Sequence, residues 1–85
     1  MDINKILVVV NIPFFNENLN VFIPVNKKVG TIKKVLIDMV MEYSNYSILN
    51  TENLKLYDKN ACRLLDNNAY ISNSNLHNGS VLILL

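Results

Sequence analysis

Residues 77–85 read HNGSVLILL, an apolar run that follows an Asn-Gly pair. Asn-Gly marks a turn, and a short continuous apolar run after it reads as a buried strand. A second such run, KILVVVNI at residues 5–12, lies at the other end of the chain and is rich in β-branched side chains. Central strands alternate least in sequence because both of their faces are covered. The two ends of this chain are therefore expected to lie side by side in the middle of one sheet, and everything between them must wrap around that pair.

The intervening residues supply the wrapping. After the first run, PFFNEN carries the Pro and Asn signals of a hairpin connection. LNVFIPV (19–25) then alternates, with Leu19, Val21, Ile23 and Val25 on one face and Asn20 and Phe22 on the other. From Lys28 to Tyr43 the period lengthens to that of a helix, with Val29, Ile32, Leu36, Met39, Val40 and Tyr43 on one stripe. Gly30 weakens the first turn of this helix. Ile37 and Met41 lie beside the stripe, with the segment NYSIL as the cover expected for them. Two short strands follow, LKLYD (54–58) with Leu54 and Leu56 inward, and CRLLD (62–66). A loop with a helical turn then leads to SVLILL. The expected fold is α+β: a mixed sheet of four to five strands packed on one amphipathic helix, the β-grasp roll, forming a single domain over residues 1–85.

Composition excludes several functions. The chain has 85 residues, 51% of them hydrophobic, which suffices for one compact core. A formal net charge of +1 offers no general attraction to nucleic acid or to an acidic surface. The single cysteine, Cys62, rules out an internal disulfide and suits a reducing compartment. No apolar stretch is long enough to span a bilayer, so direct membrane insertion is not expected.

Catalysis is not expected either. Nucleophilic chemistry needs a nucleophile, a base and an orienting group together, whereas His77 is the only histidine and belongs to a turn. Cys62 reads as a half-buried small side chain at the start of a strand. Asp58, Asp66 and Glu52 are too dispersed for a metal site, and the only glycines, Gly30 and Gly79, make no phosphate loop. No metal and no cofactor is expected.

Three segments, VFIPV (21–25), VGTIKKVLIDMV (29–40) and the ending LHNGSVLILL (76–85), resemble ubiquitin-like proteins. Within that group the chain looks most like the bacterial YukD and EsaB proteins associated with type VII (Esx) secretion. The resemblance implies a cytoplasmic protein, recruited to the inner face of the membrane by a partner, that acts as a non-catalytic adaptor or regulator of a membrane secretion apparatus. Conjugating modifiers and sulfur carriers share the fold but end in a flexible Gly-Gly tail, whereas this sequence ends on Leu84 and Leu85; the expectation is a protein that is not conjugated. An accessory β-grasp subunit of an enzyme complex, as in multicomponent monooxygenases, is the alternative.

Binding is then the expected activity, and strand parity proposes the surface. If Leu82 and Leu84 face the helix, Val81, Ile83 and Leu85 face away from it. If Lys5 faces outward, Leu7 and Val9 join them, with Phe22 and Tyr57 from neighbouring strands. Leu7, Val9, Phe22, Tyr57, Ile83 and Leu85 are thus the candidate partner-binding residues, with self-association into a homodimer left open. Where ubiquitin carries an apolar residue at the centre of its third strand, the resemblance aligns Lys55, which argues against ubiquitin receptors as partners.

Overall fold

The computed structural model describes residues 4–44 and 53–85. Strand β1 (Lys5–Ile12) turns through a single 3-10 turn at Pro13–Phe15 into β2 (Glu17–Pro24). Helix α1 (Val29–Ser44) follows, then β3 (Leu56–Asp58), β4 (Arg63–Leu64), a second 3-10 turn at Ile71–Asn73, and β5 (Val81–Leu84). The sheet order is β2-β1-β5-β3-β4. β1 and β5 run parallel at its centre, while β1–β2, β3–β5 and β3–β4 are antiparallel. This is the β-grasp roll, with five strands.

The first hairpin closes where its residues require. Pro13 opens the 3-10 turn, where no backbone N–H is needed. Asn16 takes the left-handed conformation, φ 53°, that ends the turn, and asparagine tolerates this better than other non-glycine residues. Its N–H donates to the Pro13 carbonyl at 3.0 Å. In β2, Leu19, Val21 and Ile23 face the core side, as their alternation predicts, while Asn20 and Phe22 are exposed.

The helix covers the inner face of the sheet. Val29, Ile32, Leu36, Ile37 and Val40 form one cluster with Val8, Val10, Ile12, Ile23, Leu56, Leu82 and Leu84. The expected helical stripe needs one correction. Met39 is 43% exposed and Ile37 only 5%. At 3.6 residues per turn Met39 lies about 65° from the centre of the stripe of Val29, Ile32, Leu36 and Val40, and Ile37 about 95° on the other side, so periodicity favours Met39. The sheet lies under the Ile37 side. The NYSIL segment and the Tyr43 side chain lie outside the described residues.

The start of the helix is strapped down by the chain after β4. Val29 N–H donates to Ala69 O at 2.8 Å and Gly30 N–H to Asn67 O at 3.0 Å, so two of the amides that a helix leaves unpaired at its start have partners. Ile71 and Ser72 donate in turn to Lys27 O and Val25 O. Lys28 Nζ lies 5.9 Å from the centre of the Tyr70 ring. Gly30 also sits close to the strap: a Cβ there would sit 3.2 Å from Asn67 O and 3.3 Å from Asn67 Cβ, a tight contact.

Gly30→Ala replaces a poor helix former with the best one, which in isolation would stabilise by ~0.8–1 kcal/mol. Because the atom it meets is a backbone carbonyl held by its own hydrogen bond, we expect a net loss of stability in urea denaturation. Leu36→Ala and Leu82→Ala should each cost ~2–5 kcal/mol in the same experiment, as truncations of fully enclosed side chains.

Candidate functional site: the open face of the sheet

The face of the sheet turned away from α1 is set by register. Directly paired residues share a face, and Leu7 lies opposite Phe22, Val9 opposite both Asn20 and Val81, and Asn11 opposite both Asn18 and Ile83. On the other side of β5, Tyr57 pairs with Ile83 and also with Leu64. Leu85 exchanges both backbone hydrogen bonds with Lys55, each 2.9 Å, and so extends the same row pattern by one step.

Phe22, Leu7, Val9, Val81, Ile83, Tyr57 and Leu64 consequently form an unbroken apolar staircase from one edge of the sheet to the other. Phe22 is 67% and Leu64 52% exposed, Leu7 and Leu85 are exposed, and Val9, Val81, Ile83 and Tyr57 are half-buried by their neighbours. All six candidate residues, Leu7, Val9, Phe22, Tyr57, Ile83 and Leu85, are on this one face. A shallow depression of about 310 Å³ opens between Tyr57, Lys59, Cys62, Ile83 and Leu85. Three lysines border the staircase, Lys5 at the start of β1, Lys55 opposite Leu85, and Lys59, whose N–H donates to Val81 O at 2.9 Å, while Asp58 also lines the depression and Asp66 lies beside Leu64 and Lys55. Such a surface can dock an apolar partner.

Within β3 the open-face residue is Tyr57, flanked on both sides by apolar partners, and Lys55, one step before the strand, stays on the same face opposite Leu85. Cys62 is exposed in the β3–β4 turn, not half-buried in a strand. It has φ 52° and follows a loop started by Asp58, whose Oδ1 accepts from Asn60 N–H at 3.1 Å and Ala61 N–H at 3.3 Å. Leu64 is the patch residue that the sequence did not reveal. A two-residue strand, Arg63–Leu64, gives no period, and the only available signal was that the adjacent Leu64 and Leu65 must point opposite ways.

The remaining polar groups serve the fold. His77 is exposed, its Nδ1 2.9 Å from Asn78 O, and its N–H donates to Ser80 Oγ at 3.0 Å. Arg63 donates to Ser74 O at 2.6 Å and ties β4 to the second 3-10 turn. Among the described residues no group of His, Cys, Asp and Glu could hold a metal ion.

No protein-family profile matches the chain in sequence, and no curated protein matches it. Solved structures do. The N-terminal ubiquitin-like domain of the 4931431F19Rik protein superposes with a TM-score of 0.69 at 21% identity, covering 96% of this chain and 74% of that one. The ubiquitin of Caldiarchaeum subterraneum gives 0.74 at 15% identity, with 94% and 90% coverage. A chain of the ESX-5 inner membrane complex gives 0.75 at 14% identity; it matches 96% of this chain but only 21% of its own length. The fold is therefore the ubiquitin-like β-grasp. Among the described residues no helix is long and apolar enough to cross a membrane.

Leu7→Glu or Ile83→Glu should leave the chain folded, with a stability loss of about 1 kcal/mol or less, well below that of an enclosed leucine. Either variant should also lower binding of a hydrophobic dye such as ANS. Cooperative unfolding of both variants under native conditions would place these residues in the core.

Proposed function

We propose that this protein is an adaptor that works by noncovalent protein–protein contact through the open face of its sheet, as an accessory or regulatory component of a type VII secretion apparatus. The observation that carries the binding reading is the apolar staircase. Folded monomers rarely leave an exposed apolar patch of more than a few hundred Å² unless it is a contact surface. Tyr57, Ile83 and Phe22 supply rigid or branched anchors, the kind that give docking energy at small entropic cost. Lys5, Lys55 and Lys59 supply a rim that selects a partner with acidic groups at matching positions.

The secretion setting is supported by the resemblance of the chain's motifs to YukD and EsaB and by the shape it shares with part of a chain in the ESX-5 inner membrane complex. In that setting the protein is cytoplasmic and reaches the inner face of the membrane through its partner, without catalysis and without a cofactor.

A photo-crosslinking amino acid placed at Tyr57 or Ile83 in the native cell should capture membrane components of the secretion apparatus, while the same probe at Asp38 on the exposed side of α1 should not. Capture of oxygenase subunits would move the protein to the accessory-subunit reading, and equal capture from both faces would remove the open face as the docking surface.

A further inference from the structure

The edge of the sheet formed by β2 carries a second surface, distinct from the open face. Its geometry follows from the hydrogen bonds of β1. Leu7 and Val9 direct their backbone groups toward β5: Leu7 O accepts from Gly79 N–H at 2.8 Å, Leu7 N–H donates to Asn78 Oδ1 at 2.8 Å, and Val9 N–H donates to Ser80 O at 2.9 Å. In an antiparallel pair the bonds alternate, so β1 meets β2 through Ile6, Val8 and Val10, opposite Ile23, Val21 and Leu19. The bond from Val25 N–H to Asn4 O, 2.7 Å, keeps the same phase. The backbone groups of Asn18, Asn20 and Phe22 therefore point away from the sheet, and among the described residues none of them has a hydrogen-bond partner.

Exposed edges are usually blunted by lysines, bulges or covering segments. β2, eight residues long, has no lysine and a single charge, Glu17, and its one protective residue, Pro24, lies at the far end. We propose that β2 pairs antiparallel with β2 of a second copy of this chain, about a two-fold axis at Asn20.

The register is selected by the residues themselves. Centred on Asn20, Asn18 faces Phe22 of the second copy, Asn20 faces Asn20, and each pair exchanges both N–H···O bonds. Centred on Phe22, Asn20 would face Pro24, which has no N–H to give. Centred on Asn18, Asn20 would face Asn16, which is in the left-handed turn. The Asn20 register also sets Leu19 against Val21 of the second copy, in the closely spaced pairs of the ladder, so half-buried apolar side chains at the core's rim cover one another. A net charge of +1 per copy opposes this little. Strand pairing alone buries less than the ~800 Å² per partner of a standard interface, so the dimer is weak.

Sedimentation and amide hydrogen exchange on the full chain, from micromolar to about millimolar protein, test this. The expected result is a concentration-dependent dimer in which the amides of Asn18, Asn20 and Phe22 gain protection together. Asn20→Pro, which removes the amide from both sides of the axis, should abolish it. Asn20→Lys, which opposes two like charges without touching the core, should do the same, and Ile83→Glu should leave it intact. A chain that stays monomeric throughout, a dimer that survives both Asn20 variants, or protection of these amides only when an extended peptide is added would overturn the second copy as the occupant of this edge. The open-face reading stands or falls separately, through Ile83→Glu and the crosslinking probes.

Discussion

The structure depends on the parallel pairing of β1 with β5. Val10 and Leu82 meet in register at its centre, both completely enclosed. A parallel pair cannot be closed by a tight turn, and here the connection between its strands is the rest of the molecule. The hairpin, the helix and the β3–β4 ribbon are each placed by which side of this pair they extend. The entry to β5 is fixed to β1 at one point. Gly79, at φ 91°, lets its N–H reach Leu7 O, while the Asn78 side chain takes the Leu7 amide. A residue with a Cβ meets no atom there yet adopts that φ only with strain.

The same pairing creates the open apolar face. Successive side chains in a strand point to opposite faces, so burying Val8, Val10, Leu82 and Leu84 under α1 turns Leu7, Val9, Val81 and Ile83 outward. The helix covers one face only. A chain with polar residues at these outward positions would keep the same core, and the apolar choice at them is what makes a binding surface the best account of this face. Asn11, Asn18 and Asn20 on the β2 side, with lysines around β3 and β5, keep the staircase narrow.

Much of this was legible in the sequence because it depends on period alone. β1 occupies residues 5–12 as its β-branched run predicts, and the parity of Lys5, Leu7 and Val9 against Leu82 and Leu84 follows from alternation. The readings that failed are those that period alone does not decide. Periodicity sets Met39 nearer the centre of the helical stripe than Ile37, and the position of the sheet reverses the two. Cys62 and Leu64 belong to a tight ribbon whose course is set by the Asp58 side chain capping its own turn, a local hydrogen bond that composition does not announce. The tie between Gly30 and Asn67 joins residues far apart in sequence, so the glycine read as a weak start to the helix proved to be a close approach.

The central claim, that the core pair sends one set of apolar side chains inward and an equal set outward to an open face, is tested most directly by methyl NMR with a soluble gadolinium chelate. The account predicts strong relaxation enhancement at the methyls of Leu7, Val81, Ile83, Leu64 and Leu85, with Val8, Val10, Leu82 and Leu84 protected. Protection of the first set to the level of the second in the dilute monomer would mean that the sheet has no open apolar face, and would contradict the account.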